Sequence, residues 1–110
     1  MKNIIFIGQS KNIIKSFPQA AKRNTGYQLD KIQNGKEPSD WKPVNTIGTG
    51  VREIRIKDKE GIYRVIYISK FKQSIYVLHA FKKKARKTSK HDIDVVKTAY
   101  KIMLEIVKYE

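Results

Sequence analysis

With 110 residues, 40% of them hydrophobic and 10% aromatic, the chain has the size of one domain built on a single core, which excludes both a two-core assembly and a disordered tail. It contains no cysteine, so disulfides and thiolate metal sites are excluded as well. Its 24 basic residues against 10 acidic ones leave a formal charge of +14, which bears on partners rather than fold: nucleic acid, an anionic membrane surface or an acidic protein.

The chain opens with "NIIFI" at 3–7, a β-branched run of strand length. The apolar run before Gly8 is too short for a signal-peptide core or a membrane span, so the chain reads as cytoplasmic, with no membrane partner. Residues 11–35 read as helical in two pieces. Ile13, Ile14 and Phe17 share a face of the first, and Pro18 begins the second, because proline suits the first turn of a helix and not its interior. Ala20, Ala21, Tyr27, Leu29 and Ile32 can form the buried stripe of that second helix, and Gly35 suits its end. "KEPSDWKPVNTIGTG" holds two prolines and two glycines without periodicity and reads as a connecting loop.

From Gly50 the period becomes two. "VREIRI" alternates Val51, Ile54 and Ile56 with charged residues, and "IYRVIYIS" and "SIYVLHAF" follow across the turns "KDKEG" and "KFKQ". Three short strands in succession predict an antiparallel meander. From Asp92 a helical period returns, with Ile93, Val96, Tyr100, Met103 and Val107 on one stripe and Val95, Ala99, Ile102 and Ile106 on a second. Ser89 and Asp92 have capping-box spacing. The order β-α-α-β-β-β-α over residues 1–110 predicts a single α+β domain: a small, antiparallel-rich sheet with helices packed on one face and the other face open.

The charge is focused. Residues 61–91 carry nine Lys or Arg and no Asp or Glu, and six of those cations lie between Lys82 and Lys90. A one-signed comb at the end of a buried strand suits a polyanion better than it suits a merely solvated surface. Arg64 stands mid-strand among apolar neighbours. Two readings are open for it: pairing with Glu53 or Glu60 across the hairpin, or bidentate binding of phosphate. Substitution of Arg64 by Ala is expected to leave the fold intact. His79 alternates with apolar residues and reads as a satisfied interior histidine, with acid–base work its lesser use. The two histidines stand twelve apart with no acidic cluster beside them, so no metal site is expected. Trp41 reads as a core plug.

The motifs "FIGQSK", "SFPQAAKRNTGYQLDKIQNG", "DWKPVNTIGTGVREIRIKD", "GIYRVIYISKF" and "IYVLHAFKKKARKTSKHDID" together resemble the phage-derived HigB-like branch of the RelE toxin superfamily, over residues 3 to about 99. The resemblance implies a RelE-like fold and a metal-independent endoribonuclease without cofactors. Its expected substrate is mRNA, often on the ribosome, and its expected partner is an antitoxin carrying a helix-turn-helix. It places the basic catalytic positions on Arg55, Arg64, Lys83 and Lys84. The superfamily's C-terminal catalytic Tyr or His has no counterpart here, because Tyr100 lies on the apolar stripe of a helix. His79 and Lys87 remain as acid–base candidates. Lys57, Lys82, Arg86, Lys87 and Lys90 are expected to hold the RNA on the open face and the comb. The alternative is a module that binds RNA or the ribosome and blocks translation without cutting; a third reading is a docking surface for an acidic protein.

Overall fold

The computed structural model describes residues 1–109. Its elements run β1 (Asn3–Phe6), α1 (Ser10–Lys15), α2 (Gln19–Gln33), β2 (Trp41–Pro43), β3 (Val51–Asp58), β4 (Gly61–Ile68), β5 (Ser74–Lys82) and α3 (Lys90–Val107). They form an α+β unit with a five-stranded mixed sheet, ordered β1-β5-β4-β3-β2. β1 runs parallel to β5 at one edge, and the other neighbours are antiparallel.

Local chemistry sets the boundaries. Pro18, with φ at −53°, precedes α2 and fixes the entry of the chain. The same helix ends where Gly35 takes φ +78°, which lets the Gly35 and Lys36 amides donate to the Ile32 and Lys31 carbonyls at 3.0 and 2.9 Å. At the start of α3 the Asp92 amide donates to Ser89 Oγ at 3.1 Å, and Ser89 Oγ donates to Asp92 Oδ2 at 2.8 Å. That is the capping pair expected from the spacing.

The meander β3–β4–β5 is confirmed, but three expectations are corrected. Tyr27 does not join the buried stripe of α2: it is exposed, and Thr25 and Gln28 are buried beside Ala21, Leu29 and Ile32 instead. The segment 36–50 is not wholly a loop: Trp41–Pro43 pairs with Arg52–Ile54 as an edge strand, a position that tolerates proline. The helices, moreover, do not share one face. On the first face α1 and α2 cover Ile54, Ile56, Val65, Tyr67, Ile75 and Val77 through Ile14, Phe17, Ala21 and Leu29. On the second, Val96, Ala99 and Met103 of α3 pack on Val51, Ile66, Ile68, Tyr76 and Leu78. The reason is legible in burial: β4 and β5 are buried at nearly every position, so their apolar residues point both ways and both faces need a cover. The second face is therefore closed over the Ile66–Ile68 end of β4. Only its other end, where Arg64 lies, is left to the loop at 83–89. Outward on α3, Ile102, Leu104 and Ile106 stay 45, 40 and 37% exposed.

Candidate functional site

Alternation along the strands puts one row of charges on the α3 side of the sheet. Lys42 lies opposite Glu53, and Arg55 lies opposite Arg64. Glu53 is the carboxylate in that row, and it is 4% exposed. Arg64, 3% exposed, donates from Nη1 to Glu53 Oε1 at 3.1 Å and stands 3.0 Å from Oε2, while Lys42 Nζ lies 3.7 Å from Oε2. Of the two readings open for Arg64, pairing with Glu53 is therefore realised. Its Nε has no hydrogen-bond partner among the described residues, so the pairing leaves part of the guanidinium unused.

Beyond this row the sheet ends in a cleft of about 510 Å³ lined by Arg64, His79, Phe81, Lys83, Lys87 and Asp92, among others. A β-bulge shapes it. His79 pairs with Ile66 and Val77 with Tyr67, so Leu78 is the extra residue of β5. The bulge turns His79 to the α3 side, where simple alternation from Val77 would send it to the opposite face. There His79 Nε2 lies 2.8 Å from Asp92 Oδ1, and the imidazole stacks on Phe81 with centroids 5.3 Å apart. A carboxylate oxygen can only accept, so Nε2 carries the proton. The loop between β5 and α3 is thus tied at both ends: by His79 to Asp92, and by the Lys83 amide donating to the Ile62 carbonyl at 2.7 Å.

The expected site residues do not all converge. Arg64, His79, Lys82, Lys83, Lys84 and Lys87 line the one cleft, Lys82 with its ammonium turned away from it. Arg55 lies beside it in a notch with Asp40, Lys42 and Glu53. Lys57 is exposed on the same strand toward the β3–β4 turn, and Arg86 and Lys90 are exposed on the loop and at the first residue of α3. The Lys82 ammonium is 5.9 Å from the centre of the Tyr63 ring, on the face covered by α1 and α2. The comb is therefore split between two sides of the sheet. Trp41 is not a core plug: it is half-buried at the sheet edge, with the Arg52 guanidinium 4.0 Å from its ring centre.

The cleft's electrostatics single out Lys83. Partial desolvation first, then the neighbouring charges of Arg64, Arg55 and Lys42, lower its ammonium pKa below the ordinary 10.5, with Glu53 opposing them. Lys42, Glu53 and Asp92 are parts of the site that the motifs did not single out for function. The period-two placement of Glu53 beside Arg55 was a signal for one of them.

A strongly basic α+β domain, with an arginine-floored cleft at one end of its sheet, is the class that fold and site define. Residues 12–101 match the family described as phage-derived protein Gp49-like (DUF891), and the chain belongs to that family. It is a RelE/toxin-like family of toxin–antitoxin systems. No curated protein shows significant similarity to the chain. Among the described residues, no helix is long and apolar enough to cross a membrane.

Proposed function

We propose that the chain is the toxin of a type II toxin–antitoxin system, of the HigB-like branch, and that it cleaves mRNA in the cytoplasm without a metal. The observation that carries this reading is the convergence of Lys83 and Lys84 on one cleft with Arg64, which the buried carboxylate of Glu53 braces, and with Arg55 in the adjoining notch. Such a set can do the three tasks that cutting a ribose–phosphate chain requires. Lys83, which loses its proton more readily than an ordinary lysine, accepts the 2′-hydroxyl proton as the 2′-oxygen attacks phosphorus. Arg64 and Arg55 neutralise the added charge of the phosphorane. A protonated neighbour, Lys84, gives its proton to the departing 5′-oxygen as the P–O5′ bond breaks. The products are a 2′,3′-cyclic phosphate and a 5′-hydroxyl. Lys57, Arg86, Lys87 and Lys90 hold the flanking phosphates, and Lys82 serves a strand passing over the rim. The antitoxin partner of this family suits the exposed apolar residues of α3, since contiguous apolar surface marks protein contacts.

One observation favours a second reading. Arg64 is buried and already paired, which also suits a structural role under a surface that binds RNA or the ribosome and blocks translation without cutting. Mapping transcript 5′ ends after expression separates the two. New ends in wild-type cells that vanish with Lys83→Met support cleavage. Arrested translation with intact transcripts supports the blocker.

A further inference from the structure

A second cleft, of about 620 Å³, opens on the opposite face, between the start of β1, the end of α2 and the far end of β4. Four cationic side chains line it, Lys2, Lys36, Arg52 and Lys72, against one carboxylate, Glu37. Nothing in the RNA-cleavage reading uses these residues. Arg52 and Glu53 are consecutive on β3 and so project to opposite sides of the sheet: Glu53 braces Arg64, and Arg52 serves this other cleft.

Two observations mark the cleft as more than a basic hollow. Tyr67, directly opposite Arg52 in the strand register, lines it and is fully buried; the Arg52 guanidinium interacts with its oxygen but can only donate, so the hydroxyl's own proton has no acceptor among the described residues. A buried O–H without an acceptor is uncommon in a native fold and calls for one. Burial raises the phenol pKa, so the group stays an O–H donor at neutral pH. The one competing carboxylate is also loosely held. Glu37 reaches Arg52 at 2.7 Å but is 62% exposed, and ion pairs so placed exchange readily for a better anion. The C-terminus of α2, whose carbonyls would repel an anion, is already satisfied. The amides of Asn34, Gly35 and Lys36 take the Asp30, Ile32 and Lys31 carbonyls, and the Lys2 amide takes that of Gln33.

We propose that this cleft is a binding site for a phosphomonoester, separate from the RNA cleft. The phosphate takes the place of Glu37 on Arg52, accepts from Tyr67 Oη, and is neutralised by Lys36 and Lys72. A dianion with three terminal oxygens suits four cations and a phenol better than a singly charged carboxylate does. The cleft's volume lies within the range of small-molecule sites and leaves space for a nucleoside-sized group beside the phosphate.

The test is an NMR titration of the isotopically labelled full chain with inorganic phosphate and, separately, with adenosine 5′-monophosphate. The expected result is saturable amide shifts at Asn3, Arg52, Tyr67 and Ser69. Tyr67→Phe should weaken binding by roughly tenfold or more, as loss of a charge-assisted hydrogen bond does. Lys72→Ala, an exposed change that leaves the core alone, should weaken it several-fold, and Lys83→Met should leave it unchanged. Tighter binding of the nucleotide identifies a nucleotide ligand; equal binding identifies the phosphate group as the whole determinant. Shifts that never saturate, shifts confined to residues 82–90, or undiminished affinity in both Tyr67→Phe and Lys72→Ala would overturn the proposal.

Discussion

Glu53 and Arg64 form a salt bridge with almost no contact with solvent: the guanidinium Nη1 stands 3.0–3.1 Å from both carboxylate oxygens, and each residue is under 5% exposed. Removing Glu53 strands the guanidinium's charge, and removing Arg64 leaves the buried carboxylate only the longer contact with Lys42 at 3.7 Å. The expectation that Arg64→Ala leaves the fold intact is therefore revised. That substitution, and Glu53→Ala likewise, should each lower unfolding free energy by about 3–5 kcal/mol. Arg64→Met with Glu53→Leu should cost far less than the sum of the two single changes, because no charge is left uncompensated. Urea denaturation of the four proteins closes the cycle. Additive losses would show that the pair is not coupled.

How much of this arrangement was legible beforehand depends on the range of the interaction. Strands β3–β5 and the capped start of α3 follow from short-range period and from Ser89 and Asp92, three positions apart. Glu53 as a partner of Arg64 was one of two options that the hairpin allowed. The strand at Trp41–Pro43 was hidden because its pairing with Arg52–Ile54 depends on a contact across a loop that carries no local pattern. The closing of both faces was hidden too. A run such as "IYVLHAF" fits a strand buried on two sides, and only the packing of α3 shows that it is. The side to which His79 points depends on a single bulge at Leu78, and no alternation rule anticipates an inserted residue. The comb was singled out by its charge density, and Lys83 and Lys84 within it by the family resemblance. Density does not distinguish Lys83 from Lys82, which also borders the cleft but whose ammonium lies over Tyr63 on the other face.

Lys83 is the place where function and stability should oppose each other. Its folded-state pKa lies below the ordinary 10.5, so across that interval the unfolded chain binds more protons than the folded one. Stability then rises with pH through the interval, and the penalty for keeping Lys83 charged is fully present at neutral pH. Lys83→Met should therefore melt at a higher temperature than wild type at pH 7, with the two curves converging as pH approaches 10.5. The same substitution should reduce RNA cleavage by about 10²–10⁴-fold, the usual range for losing an acid–base group. A variant less stable at neutral pH would show that the cations around Lys83 do not strain it.

The loop before β3 is held against α3 by an absence of side chain. A Cβ on Gly48 would stand 2.5–2.8 Å from two ring carbons and the hydroxyl oxygen of Tyr100, inside any allowed contact. Gly48→Ala should thus cost about 1–3 kcal/mol, as overpacking of a close contact does. Most of that cost should vanish in a Tyr100→Ala background, where the ring is gone. Thermal denaturation of the single and double variants measures it; an equal cost in both backgrounds would place its origin in the backbone of Gly48 instead.

His79 and Asp92 set the geometry of the basic loop from opposite ends, and they need not touch RNA to matter. Asp92 both accepts from His79 Nε2 at 2.8 Å and caps α3 with Ser89, so its carboxylate couples the bulged strand to the start of the helix. Asp92→Asn keeps the size but weakens both hydrogen bonds, and His79→Phe keeps the stack on Phe81 while deleting the tie. Each should cost about 1–2 kcal/mol, in the range of a lost cap or a lost charge-assisted hydrogen bond. Both should also speed amide exchange at residues 83–92 more than at the strand core, because opening there no longer breaks the tie. A positioning role predicts that RNA affinity falls while its dependence on salt stays the same, since the number of phosphates contacted is unchanged. If His79→Phe instead abolished cleavage with affinity and exchange rates intact, the imidazole would belong to the proton-transfer machinery and Lys83 would lose its place as the base.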